Sequence, residues 1–154
     1  MGPDHGRRIE RAEPIPFLRT DFYESNGKFS PDSHWVANQS NESGRSEIYV
    51  RPFPAVEASG KWMASHGGGR QPHWRGDGKE LFYIGADNSL MAVPVSSSGA
   101  VFQPGTPATL FKVPTIRDWD VTADGKRLLF PIPSGETTET PFTVVQNWTS
   151  LLNR

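Results

Sequence analysis

A chain of 154 residues is one domain's worth, long enough to bury a core and too short to hide a second catalytic domain. Sixteen Lys and Arg stand against seventeen Asp and Glu, a net charge of -1, so no basic surplus is available for a phosphate backbone and nucleic acid is not an expected partner. Fifteen Gly and fourteen Pro disfavour long helices, and an aromatic share of 11% disfavours disorder, which leaves a β-rich, loop-rich class.

The first residues, 1–13, read as a polar lead-in with neither the apolar stretch of a signal peptide nor that of an anchor. Nowhere do 18 apolar residues run together, so membrane insertion is not expected. Compartment stays open, because a chain with no Cys suits either redox environment. Ile15 to Arg19 reads as an outermost strand without a sheet of its own.

From there the chain repeats itself three times. The anchors are FSPDSHWVA from Phe29, WRGDGKELF from Trp74 and VTADGKRLL from Val121. Aligned on Asp32, Asp77 and Asp124, each has an apolar residue three positions before the Asp (Phe29, Trp74, Val121) and another four after it (Val36, Leu81, Leu128). An Asp followed by Gly or Ser is hairpin chemistry, since both tolerate a left-handed turn. Inner strands are therefore predicted near Gly27 to Ser30, Gln71 to Trp74 and Trp119 to Val121.

Further strands follow each hairpin. Ile48 to Phe53 and Leu90 to Val95 match each other down to a proline near the strand end, Pro52 and Pro94. Lys61 to Ala64 and Ala108 to Phe111 read as fourth, outermost strands, and Phe142 to Asn147 as the third strand of the last repeat. Four strands recurring every 45 to 47 residues are propeller blades, with repeats near 27–66, 70–113 and 117–151. The expected fold is thus all-β, a β-propeller of about three four-stranded antiparallel blades, half of a six-bladed ring. The residues expected between blades are Phe29, Val36, Trp74, Leu81, Phe82, Val121, Leu128 and Phe130, while Trp35 shares its register with Glu80 and Arg127 and is expected to be exposed.

Read together, FSPDSHWVA, ESGRSEIYVRPFP and HGGGRQPHWRGDGKELFYI resemble the C-terminal part of TolB-like, WD-related β-propellers, including those fused to bacterial serine/threonine kinases. The closing run Pro141 to Trp148 resembles the natural end of such propellers, and the likeness covers Ile15 to Leu151. It implies a non-enzymatic module that binds a protein or small ligand through the loops at one end or the central tunnel, with no cofactor. The alternatives are an accessory domain of a hydrolase, as in the similar propellers that gate prolyl oligopeptidase-type enzymes, and a structural fragment without activity of its own. The chain departs from the family in lacking a kinase domain and a membrane segment, and in having three blades where six or more are usual.

Several short motifs carry chemistry elsewhere. His66-Gly67-Gly68-Gly69 matches an esterase oxyanion loop, but no G-x-S-x-G elbow accompanies it, and the resemblance makes it a link between blades. His34, His66 and His73 with Asp32 and Asp77 lack the short fixed offsets of a metal site, and Asp118-Trp119-Asp120 lacks the ligand periodicity of a calcium loop. Asn38, Asn41 and Asn147 head glycosylation sequons that the bacterial resemblance makes coincidental. If a ligand binds, the expected contacts are residues just before inner strands: Asn26, Lys28, Arg70, Gln71, His73, Arg117 and Asp118. Three blades leave two faces uncovered and propellers are generally built from about 4 to 8, so the expected partner is a second copy, docked head to tail with Ile15 to Arg19 pairing beside Phe142 to Asn147, or the remaining blades of a parent protein.

Overall fold

The computed structural model describes residues 13–55, 59–132 and 142–147. Three antiparallel sheets follow one another along the chain. The first holds β1 (Glu24–Phe29), β2 (Trp35–Ser40), β3 (Glu47–Pro52) and β4 (Trp62–Met63) in that order. The second holds β5 (Gly69–Trp74), β6 (Glu80–Gly85) and β7 (Ser89–Ser98), with both β8 (Val101–Pro104) and β9 (Ala108–Lys112) paired to β7. The third holds β10 (Asp120–Val121), β11 (Arg127–Pro131) and β12 (Phe142–Gln146). These are the expected blades, with the expected inner strands β1, β5 and β10. The lead-in before Glu13 and the ends of the closing run, Pro141 and Trp148, lie outside the described residues.

The three hairpins are built alike. Ser33, Gly78 and Gly125, one position after each aligned Asp, take φ of 61°, 70° and 71°, the left-handed geometry that the turn requires. Each Asp then accepts from the backbone two residues on: Asp32 from His34 N at 3.0 Å, Asp77 from Lys79 N at 2.9 Å and Asp124 from Lys126 N at 2.9 Å. A side chain two residues before each Asp completes the turn, Ser30 and Thr122 donating their hydroxyls at 2.6 Å and Arg75 its guanidinium at 2.8 and 2.9 Å. These bonds favour the charged carboxylate. The Arg75 guanidinium holds Asp77 down to about 2, and the Lys112 ammonium holds Asp87, at the β6–β7 turn, down to about 2 as well.

A carboxylate lowered in the folded state contributes stability that is present above its unfolded pKa and lost as pH falls through the folded one. The urea midpoint is therefore expected to drop between about pH 4 and pH 2, and Asp77→Asn to flatten that drop. A midpoint that holds steady across the window in the unmodified chain would show that the turn carboxylates contribute nothing.

Two cores sit between the sheets rather than within any of them. Trp35, Ala37, Ile48 and Val50 of the first blade pack on Leu81, Tyr83 and Val93 of the second. The opposite face of the second, with Phe82, Ile84, Leu90 and Ala92, packs on Leu128, Phe130 and Trp119 of the third. Strand alternation explains this, since neighbours in sequence feed opposite interfaces: Leu81 and Phe82, both fully buried, point to different blades.

The structure corrects four expectations. Trp35 is 4% exposed, covered edge-on by Trp62 at 5.6 Å and tilted against Phe102 at 5.2 Å. Phe29 is 55% exposed because its face of the first blade has no neighbouring sheet among the described residues; it stands edge-on to Phe53 instead, at 4.8 Å. Ile15 to Arg19 forms no strand. It lies on the first blade of its own chain, where Phe17 meets Phe53 at 6.0 Å and lines one hollow with Arg51 and Pro52. Finally, β7 does not stop near Val95 but runs on to Ser98 and turns back as β8, an unexpected fifth strand that brings Phe102 into the first core.

Candidate functional site

The first strands of the first two blades carry the same irregularity. The β1–β2 register shifts between Ser25 and Lys28, and the β5–β6 register between Arg70 and His73. At each shift one residue, Asn26 or Gln71, takes φ of 53°. A bulge of this kind re-aims the side chains around it. Gln71 is consequently swung across to the neighbouring blades: its amide nitrogen donates to Arg117 O, its backbone N–H to Gln39 Oε1 at 3.3 Å, and its carbonyl accepts from Trp119 Nε1 at 3.2 Å. Asn26 donates to the same Gln39 oxygen at 3.1 Å. Trp74 Nε1 likewise donates to Lys28 O, at 3.0 Å. The inner edge of the arc is stitched by indoles and amides.

Of the expected site residues, Gln71 and Asn26 are thus engaged in joining blades. Arg70 points elsewhere, its guanidinium bonded to Gly85 O at 3.0 Å and Asn88 Oδ1 at 2.6 Å around the β6–β7 turn, with burial lowering its pKa. What remains converges on His73. Lys28, His73 and Asp120 occupy one register, each the residue before the apolar anchor of its blade, so three adjacent inner strands present a cation, an imidazole and a carboxylate in a row. His73 has a side chain 12% exposed, lies 4.4 Å from the Trp119 ring and has Nδ1 3.8 Å from Asp120 Oδ1. Burial pushes its pKa down and Lys28 adds to that, while Asp120 and Asp118 oppose both. Lys28, Arg117, Asp118 and Asp120 are exposed around it. Asp120 was not among the expected residues, although alignment on Val121 places it beside Lys28 and His73.

The glycine run is occupied by the fold. Gly68 N–H donates to Glu47 Oε1 at 2.9 Å and Gly69 N–H to Ser46 O at 2.8 Å. Glu47, 2% exposed, also accepts from Ser65 Oγ and pairs with Arg45 Nε at 3.2 Å. Two of the amides an oxyanion hole would need are therefore used to fasten the first blade to the second. His34 pairs with Asp32 at 3.2 Å, within its own turn. Among the described residues no three His, Cys, Asp or Glu side chains come together as a metal ion would require.

Neither a family model nor a curated protein sequence matches the chain. Among solved structures, oligogalacturonate lyase from Vibrio parahaemolyticus is similar, with a TM-score of 0.51 at 16% identity over 74% of this chain. The fold is that of a partial β-propeller. The matched part spans 31% of that lyase chain. Identity this low carries the architecture and not the activity. Among the described residues no helix is long and apolar enough to cross a membrane.

Proposed function

We propose that this chain is a non-enzymatic β-propeller module of the TolB-like, kinase-linked kind, holding an anionic small ligand or side chain at the inner edge of the arc. The observation that carries the reading is the row Lys28, His73 and Asp120 flanked by Arg117. Two exposed cations, neither in an ion pair within the described residues, stand beside a half-buried imidazole. Lys28 and Arg117 supply charge-assisted donors to a carboxylate, Asp118 and Asp120 accept from its hydroxyls, and Trp119 backs the imidazole. Protonation of His73 adds a third positive charge, and because burial holds its pKa below the usual imidazole range, binding of a carboxylate strengthens only as pH falls below that range.

The similar lyase is named for an oligogalacturonate, a polycarboxylate, which makes trigalacturonate the first probe. Calorimetry is expected to show binding that Lys28→Ala with Arg117→Ala weakens about 10- to 100-fold, on the ~1.5 to 3 kcal/mol of one charged hydrogen bond. Equal affinity in the double variant would sink the proposal, as would a loss of binding matched by a loss of melting temperature. The proposed assembly partner is a second copy of the chain, docked head to tail so that two arcs of three blades close one ring.

A further inference from the structure

We propose that the cleft between the first two hairpin turns, walled by the β7–β8 hairpin, is a separate site for a neutral saccharide. The cleft measures about 410 Å³ and is lined by Asp32, Trp74, Asp77, Lys79, Ser96 and Phe102 among others. Its wall is not something the blade repeat needs. In the first blade the third strand ends at Pro52, whereas in the second the matching strand passes Pro94 and extends four residues into a hairpin with β8. That hairpin roots itself through Phe102, tilted or edge-on to Trp35, Trp62 and Trp74 at 5.2, 6.0 and 6.1 Å, and leaves Ser96 and Ser97 exposed at the cleft.

The neighbouring pair of turns shows the contrast. The second and third hairpins close directly on each other, with Gly76 N–H donating to Ala123 O at 2.7 Å. A Cβ on Gly76 would come within 2.6 Å of that same oxygen, so backbone meets backbone there. Between the first and second hairpins a cleft stands in the same place.

Its chemistry selects the ligand class. Trp74 is partly exposed and spends its indole N–H on Lys28 O, so it offers the cleft an apolar ring surface. Asp32 and Asp77 are held in place as ionised acceptors by their own turns, with lone pairs left over for hydroxyl donors. Arg75 divides its charge between Asp77 and Glu80, so with Lys79 two cations face the three carboxylates Asp32, Asp77 and Glu80, a slight negative balance that turns away an anionic guest and leaves acceptors for hydroxyl donors. An aromatic surface with fixed acceptors and serine hydroxyls around it fits a ring with an apolar face and an equatorial rim of hydroxyls. The space holds one or two such rings.

The test uses the full chain and two neutral probes, maltotriose and N,N′-diacetylchitobiose, titrated to millimolar concentration while indole N–H and backbone resonances are followed by NMR. One or both should shift Trp74 and Ser96 resonances saturably. Ser97→Trp, on the face of the β7–β8 hairpin that carries Val95 and Phe102 and so fills the cleft, should weaken that binding at least tenfold with an unchanged melting temperature, while the Lys28→Ala, Arg117→Ala double variant keeps it. The last result separates this site from the anionic one, which can fail or hold independently. Absence of a Trp74 shift with both probes overturns the inference. So does binding that survives the cleft-filling variant or disappears in the double variant.

Discussion

Phe102→Ala is expected to cost about 3 to 5 kcal/mol and to leave the first interface open. The side chain is 2% exposed and lies against three indoles, with centroids 5.2 Å from Trp35, 6.0 Å from Trp62 and 6.1 Å from Trp74. Truncation removes transfer energy and leaves a void that three rigid rings on two different blades cannot collapse to fill. Domains of this size are stable by roughly 5 to 15 kcal/mol, so the variant should lose a large share of that, seen as a lowered urea midpoint with an unchanged slope. Phe102→Leu should recover about half. A midpoint shift below that expected for an exposed site, about 0.5 kcal/mol, would show that the hairpin lies on the blades without bracing them.

The same residue marks where sequence reading stopped. The blade pattern was legible because the turn chemistry is local: Asp32, Asp77 and Asp124 form their turns with residues two positions away on either side, and a local rule repeats visibly. Alternation then placed Leu81, Phe82, Leu128 and Phe130 correctly inside the interfaces, whereas Val36, though 6% exposed, lies on the open side of the first blade beside Phe29. Trp35 was misplaced because its register partners Glu80 and Arg127 are polar, and nothing local reveals that a hairpin sixty residues downstream reaches back to cover it. Phe29 was misplaced for the converse reason, since burial at its register depends on a blade preceding the first. The geometry of the proposed inner-edge row was legible only in part. Position before an inner strand found Lys28 and His73, but the bulges at Asn26 and Gln71, which turn polar side chains into ties between blades, have no signal in residue type alone. Asp120 needed the alignment to be carried one residue further.

The outer face of the third blade, which no sheet covers among the described residues, gives the other large effect. Leu129 and Val144 are paired across β11 and β12, in the register of Phe82 and Ala92 in the second blade and of Ala37 and Val50 in the first. Those four are 0, 3, 0 and 0% exposed because the next blade covers them, whereas Val144 is 50% exposed. At the other end, Phe29 and Phe53 occupy the positions of Trp74 and Val95 and, with Ile15, Phe17 and Val36, line an apolar groove of about 530 Å³. One end of the arc thus presents the kind of face that the other end's kind of face covers twice within the chain, which is the condition for a closed head-to-tail pair. If two copies close a ring, Val144→Arg places an unpaired charge in each interface at a cost of several kcal/mol. Sedimentation at micromolar concentration should then show dimer for the unmodified chain and monomer for the variant, with a loss of more than about 100-fold in association. Phe29→Arg should act alike from the opposite face. Equal mixtures of the two variants should stay weak, because every closed pair still contains a charged junction. A monodisperse monomer for the unmodified chain would instead assign both faces to the blades of a longer propeller.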